Sequence, residues 1–149
     1  MDDPMMEQQI ALEVVYADEH LIELEARVGV GKWRGEARAY TTAQNIRAFS
    51  EQLEHFLSQI TGEVAFQVGE ENGIGMIALW FYTTDRARHI ACQVRLASQT
   101  ATEHRPEEVS KLALEASTEP AAVARFMRGL LTIAGKHSGQ AVLIVEASA

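Results

Sequence analysis

The chain has one cysteine and three prolines in 149 residues, and only 7% of its residues are aromatic. The single cysteine, Cys92, excludes an internal disulfide, and no second cysteine is available to complete a zinc site. No run approaches the roughly 20 apolar residues that cross a bilayer. The N-terminus also lacks the basic start and apolar segment of a secretory signal. The sequence therefore predicts a cytoplasmic protein without disulfides.

Positive charge is also scarce, because 13 Lys and Arg stand against 21 Asp and Glu, which gives a net charge of −8. Nonspecific nucleic-acid binding needs Lys and Arg to displace counterions from phosphates, so that class of function is disfavoured. The 47% apolar content excludes a disordered chain. The length predicts a disordered tail at 1–7 and a single domain over 8–149.

Residue patterns of metal sites and of common catalytic sites are missing as well. The five histidines are His20, His55, His89, His104 and His137. They contain no His-x-His or His-x3-His pair, so neither a metal nor a cofactor is predicted. No Gly-x-Ser-x-Gly elbow is present, and the glycines around Lys32 do not have the spacing of a phosphate-binding loop. The sequence favours a protein that is not an enzyme.

Alternating apolar and polar residues predict three strands at the start of the chain, over 10–16, 22–28 and 32–40. Gly29-Val30 fits a two-residue type II′ hairpin turn between the second and third strands. That turn would place Trp33 opposite Ala26 and Arg34 opposite Glu25. A longer loop or a bulge stays open, because Gly31 permits either.

Helical spacing predicts a helix over 42–60, with Thr41 as its cap and Gln44 completing a capping box. Its apolar stripe consists of Ile46, Phe49, Leu53, Phe56, Leu57 and Ile60. A second helix follows Thr118, its predicted cap, and Pro120 in the first turn. The apolar stripe of this second helix consists of Val123, Phe126, Leu130 and Ile133.

Four further strands are predicted over 64–68, 74–83, 88–96 and 141–145. Strand 74–83 is apolar on both faces, which is typical of a central strand or of a strand at a dimer contact. Residues 109–116 fit either a strand or a helix, and the alternation of Leu112 and Leu114 favours a strand.

Two stretches of the chain match at an offset of 77 residues. The identical pairs are Thr41 and Thr118, Phe49 and Phe126, Leu53 and Leu130, Gly62 and Gly139, and Val68 and Val145. An internal duplication with a pseudo-two-fold axis explains the match. Two amphipathic helices that obey the same periods explain it equally well. Either interpretation predicts an α+β fold, a mostly antiparallel sheet of about seven or eight strands with two long helices.

The aromatic residues of the strands are the most informative candidates for a site. Core packing is one interpretation of Trp33, Trp80 and Tyr82. The other is an open sheet face that presents a tryptophan as an interface anchor, because Trp, Tyr and Arg dominate binding hot spots. The candidate binding residues are Trp33, Arg34, Arg38, Trp80, Tyr82 and Arg86.

The Gly31-x-Trp33-x-Gly35 strand leads through Tyr40 to the helix that carries Phe49, Leu53 and Phe56. This segment resembles small uncharacterised bacterial proteins, some of which are similar to immunity proteins of toxin–immunity pairs. The resemblance covers about residues 10–97. It implies a cytosolic, non-enzymatic, acidic inhibitor that docks on a basic toxin surface, and it supplies no catalytic residues.

Three hypotheses of function follow. The leading one is a protein-binding module, because an acidic surface steers a basic partner. The second is a small-molecule binder or small enzyme with a pocket between sheet and helices lined by Trp33, Trp80 and Tyr82. The third is a homo-oligomer, such as a homodimer, in which strand 74–83 or an edge strand pairs with its copy.

Overall fold

A computed structural model describes residues 8–70, 75–84, 89–98 and 109–147, which form nine strands and two helices. The predicted tail at 1–7 lies outside this part of the chain. The first unit contains β1 (Gln9–Ala17), β2 (Ile22–Val30), β3 (Trp33–Thr41), α1 (Ala43–Gln59) and β4 (Glu63–Gly69). The second contains β5 (Gly75–Thr83), β6 (Ile90–Ser98), β7 (Ser110–Thr118), α2 (Pro120–Lys136), β8 (Gln140–Ile144) and the short β9 (Glu146–Ala147).

The strands form two antiparallel sheets. Sheet A has four strands in the order β3-β2-β1-β8, and sheet B has five in the order β4-β5-β6-β7-β9. The α+β class, the two long helices and the antiparallel pairing are confirmed, and 109–116 belongs to a strand, as favoured. The single sheet of seven or eight strands is wrong. Each helix connects a strand of one sheet to a strand of the other. Hydrophobic periodicity predicts the strands but not the sheet to which each strand belongs.

One arrangement of elements occurs twice along the chain. Three strands, a helix and a fourth strand make each unit, and the fourth strand joins the sheet of the other unit, β4 beside β5 and β8 beside β1. The 77-residue offset relates β3 to β7 and α1 to α2. Both helices end on a left-handed residue, Ile60 with φ 49° and His137 with φ 57°. The repeat seen in the sequence is therefore also a repeat of structure.

Four phenylalanine rings form the centre of the core and join the two units. The Phe49 ring of α1 stacks on Phe66 of β4, with ring centres 4.3 Å apart and planes 3° apart. It also contacts Phe81 of β5 at 6.1 Å and Phe126 of α2 at 6.4 Å. Both helices therefore pack against the inner side of sheet B. Neither helix is long and apolar enough to cross a membrane.

The turn between β2 and β3 differs from the predicted one. Val30 pairs with Trp33, so the turn residues are Gly31 and Lys32, and Gly31 has the positive φ of 61°. Arg34 consequently lies opposite Gly29 instead of Glu25. The predicted register was wrong because several glycines can supply a positive φ, and the structure uses the later one.

Both predicted helix caps are displaced by one residue. The Oγ of Thr42, not of Thr41, accepts a hydrogen bond from the Asn45 N–H at 3.1 Å. At α2 the cap is Glu119, which makes no capping bond with its side chain. The Thr118 hydroxyl instead donates to the Ile144 carbonyl at 3.0 Å, because Thr118 still belongs to β7.

Candidate functional site

Strand β5 places two different kinds of side chain on the two faces of sheet B. Ile77, Leu79 and Phe81 face the helices and are fully buried. Trp80 and Tyr82 alternate with them and therefore point to the opposite, outer face. On the outer face Met76 and Ala78 form a second, small buried cluster with Ala97. Strand β5 is therefore a central strand that is buried on both faces at its start and open on the outer face at Trp80.

The outer face is open around Trp80, whose side chain is 39% exposed. The register brings Ala65 of β4 to one side of Trp80 and Gln93 of β6 to the other. We call this surface the Trp80 face. Its residues are Glu63, Ala65, Gln67, Ala78, Trp80, Tyr82, Gln93, Arg95 and Glu115. A shallow hollow of about 250 Å³ lies on it.

Two carboxylates fix the aromatic side chains of the Trp80 face. The Trp80 Nε1–H donates to Glu63 Oε1 at 2.7 Å, and the Tyr82 hydroxyl donates to Glu115 Oε1. The Gln93 amide donates to the Tyr82 hydroxyl at 3.1 Å and to Glu115 at 3.3 Å. The Trp80 and Tyr82 rings lie 4.5 Å apart at 40°. This network holds both rings in one orientation before any ligand binds.

The electrostatics of this face favour a cation above the rings. Partial burial and then the hydrogen bond to Glu115 raise the pKa of Tyr82, so its hydroxyl remains a donor at neutral pH. Aromatic faces attract cations. A carboxylate that accepts the Trp80 N–H also adds electron density to the indole and strengthens this attraction. The face therefore offers two π surfaces flanked by Glu63 and Glu115, and Arg95 lines the hollow on the same face.

The outer face of sheet A has a different character, because its charges pair with one another. Arg27 lies 2.5 Å from Glu13 and 3.2 Å from Glu25, and Arg38 lies 2.9 Å from Glu25. Arg27 and Arg38 are about half exposed, at 47% and 57%, whereas the Glu25 side chain that they share is only 12% exposed. The charges of this ladder already have partners.

The candidate residues from the sequence fall on two separate surfaces. Trp80 and Tyr82 meet on sheet B. Trp33, 62% exposed, begins β3 beside the hairpin turn of sheet A, and no ring contact within the described residues joins it to them. The Arg34 guanidinium donates to the carbonyls of Gly31 and Trp33, at 3.1 and 2.9 Å. Arg38 belongs to the ion-pair ladder of sheet A, and Arg86 lies outside the described residues.

This placement bears on the other sequence hypotheses. Trp80 and Tyr82 lie on the side of sheet B away from the helices, so they do not line a pocket between sheet and helices with Trp33. In the described part of the chain, no group of three or more His, Cys, Asp or Glu side chains is arranged to hold a metal ion.

Glu63, Gln93 and Glu115 are the residues of the site that sequence reasoning missed. They lie 17, 11 and 33 positions from the aromatic residue that each contacts. The register between neighbouring strands brings each of these residues to its aromatic partner. No short-range sequence pattern predicts that register.

Cys92 is fully buried in β6. Burial raises the pKa of this thiol far above its ordinary value of 9.0. The folded chain therefore keeps the thiol protonated in alkaline solution, and Cys92 is not an activated nucleophile.

The stability of the protein is expected to fall above about pH 9 because of Cys92. The unfolded thiol ionises there while the buried thiol keeps its proton, so unfolding releases a proton. This group alone then lowers the free energy of unfolding by about 1.4 kcal/mol for each pH unit. Urea denaturation at several pH values should show a shallower alkaline decline for Cys92→Ala. Parallel pH profiles for the two proteins would contradict the assignment.

The chain matches no family model, and no curated protein matches it. Among solved structures it is similar to a chain of the CdiA-CT/CdiI toxin and immunity complex from Enterobacter cloacae. The two chains are 13% identical, the alignment covers 84% of this chain and 98% of the other, and the TM-score is 0.44.

Proposed function

We propose that this protein is a non-enzymatic protein-binding module that docks its partner on the Trp80 face. The observation that carries the proposal is the state of Trp80, which is 39% exposed and yet fixed by the 2.7 Å bond to Glu63. An aromatic side chain that is both accessible and oriented loses little conformational entropy on binding. Such side chains are typical anchors of protein interfaces.

The partner should present a basic surface, with an arginine or lysine at its centre. A guanidinium stacked on Trp80 can pair with the carboxylate of Glu63 or Glu115 at the edge of the ring. The net charge of −8 adds a long-range field that draws a basic protein toward the chain.

The specific role we propose is that of an immunity-type inhibitor that covers the basic surface of a toxin in the bacterial cytosol. Its support is the acidic charge together with the resemblance of residues 10–97 to small bacterial proteins, some of which are similar to immunity proteins. An inhibitor of this kind acts by occluding a surface and needs no catalytic groups of its own.

Replacing Trp80 with alanine is expected to weaken partner binding by about thirtyfold, which corresponds to about 2 kcal/mol at a hot spot. The matched control is Trp33→Ala, which removes an exposed tryptophan from the other sheet. Wild type and both variants serve as bait in lysate of the source cell at low and high salt, and mass spectrometry identifies what binds. The expected result is a basic protein that wild type and Trp33→Ala retain at low salt and that Trp80→Ala loses.

Two outcomes would contradict the proposal. One is that no basic protein binds at either salt concentration. The other is that Trp80→Ala retains the partner as well as wild type does, which would place the interface elsewhere.

A further inference from the structure

A groove runs along the free edge of sheet B. Strand β4 is the outermost strand of this sheet and pairs only with β5 among the described strands. Its inward residue Val64 and its outward residues Glu63 and Ala65 all line one groove of about 690 Å³. Because residues of both faces line it, the groove borders the edge of β4 over its first three residues. Helix α1 forms its other wall with Ala48, Glu51, Gln52 and His55.

The second unit of the chain shows why this groove is open. The offset of 77 relates Gln52 to Gly129 and Val64 to Ala141. Helix α2 lies directly on β8, because a Cβ built on Gly129 would be 2.8 Å from the Ala141 Cα. A side chain at that position would force the two elements apart. In the first unit Gln52 occupies the position, and Gln52 and Val64 both line the open groove.

The outer edge of β4 pairs with no other described strand. Along an edge strand, alternate backbone N–H and C=O groups have no partner strand and form a template for another chain. Extended peptides bind sheets in this way, with backbone hydrogen bonds for affinity and side chains for specificity. Strand β4 is seven residues long, so its edge is as long as an ordinary strand.

The charges along the groove indicate what kind of chain it accepts. Glu51 and Glu63 both line it. The residue equivalent to Glu51 in the closed second unit is Arg128, so the acidic character belongs to the open groove alone. A second copy of this chain fits poorly, because it would bring two acidic grooves and two net charges of −8 together.

We propose that the groove between α1 and the edge of β4 binds an extended, basic segment of a partner protein as an additional strand of sheet B. Lysine or arginine at alternate positions of this segment would pair with Glu51 and Glu63, and its backbone would bond to β4. This groove adjoins the Trp80 face, with which it shares Glu63 and Ala65, but it uses the backbone edge of β4 and the side of α1, and so goes beyond the function proposed above. A partner seated on the Trp80 face could reach it across β4.

The test uses a labelled synthetic peptide that alternates lysine with threonine, and a second peptide that alternates glutamate with threonine. Fluorescence anisotropy measures binding to the whole protein, and amide hydrogen exchange measures protection of β4. We expect the lysine peptide to bind, to slow exchange in Glu63–Gly69 by about tenfold or more, and the glutamate peptide not to bind.

Two variants with matched controls locate the binding. Gln52→Trp fills the groove and should abolish binding, whereas Gln44→Trp makes the same change at an exposed site of α1 outside it. Glu51→Lys should weaken binding at least tenfold, whereas Glu54→Lys changes the net charge equally outside the groove. Circular dichroism checks that each variant is folded.

Several results would overturn the proposal. They are the absence of lysine-peptide binding, equal binding of the glutamate peptide, binding without protection of β4, and undiminished binding to folded Gln52→Trp. A dimer in light scattering whose β4 amides are protected would show that a second copy occupies the edge. Because the probe is a peptide without a folded surface, these results are separate from those of the lysate experiment.

Discussion

Replacing Phe49 with alanine is expected to lower the free energy of unfolding by about 3–5 kcal/mol, the range typical of a buried phenylalanine. Phe49 stacks on Phe66 at 4.3 Å and also contacts Phe81 and Phe126. These four rings come from both helices and from two strands of sheet B. The cavity left by the ring would lie where the two units meet, so neither unit can close it by a small local movement.

Urea denaturation at equilibrium measures this effect, and Trp33→Ala provides the control. Trp33 is 62% exposed, so its removal should change the free energy of unfolding by less than about 0.5 kcal/mol. A loss below about 1.5 kcal/mol for Phe49→Ala would contradict a central role for the ring cluster.

Replacing Gly129 with alanine is expected to lower the free energy of unfolding by about 1–3 kcal/mol, as overpacking does. Alanine is the better helix former by about 0.8–1.0 kcal/mol, so propensity alone predicts the opposite sign. Packing outweighs it here, because the added Cβ would lie 2.8 Å from the Ala141 Cα and 3.0 Å from the Gln140 carbonyl oxygen. Both of those atoms belong to the backbone of β8 and cannot rotate away.

The matched control is Gly135→Ala in the same helix. A Cβ at Gly135 would meet nothing within 4 Å, so this variant should gain about 0.5–1 kcal/mol of stability. Thermal or urea denaturation of the two variants therefore separates packing from helix propensity. If both variants are stabilised, the close approach of α2 to β8 is not real, and the contrast with the α1 groove fails with it.

Most of the local structure could be predicted from periodicity. Residues 22–28 alternate cleanly and lie within β2, and the stripe from Ile46 to Ile60 predicts α1 to within a residue or two. Burial of one face imposes these patterns directly on the sequence. The division into two sheets could not be predicted in this way. Val64 and Val68 alternate correctly for a strand, but nothing in that pattern says that β4 pairs with β5.

The sequence predicted which residue types belong to the candidate site, but it did not predict how those residues are arranged. Trp80 and Tyr82 attract attention because large aromatics dominate interfaces. Their partners Glu63 and Glu115 are ordinary exposed glutamates in the sequence, and only the pairing of β4, β5, β6 and β7 brings them to the rings. Trp33 has the same residue type as Trp80. The hairpin turn at Gly31 places it on sheet A, away from the Trp80 face.

The exchange of fourth strands between the two units has a consequence for how the chain reaches its native state. Gln9 pairs with Ile144 and Glu13 with Gln140, so β8 is synthesised only after all the strands and helices that lie between it and β1. Contacts between such distant residues make folding slow, since a long loop must close before they form. During translation one edge of β1 stays unpaired until β8 emerges. The nascent chain is therefore open to misassociation and to chaperones over that interval.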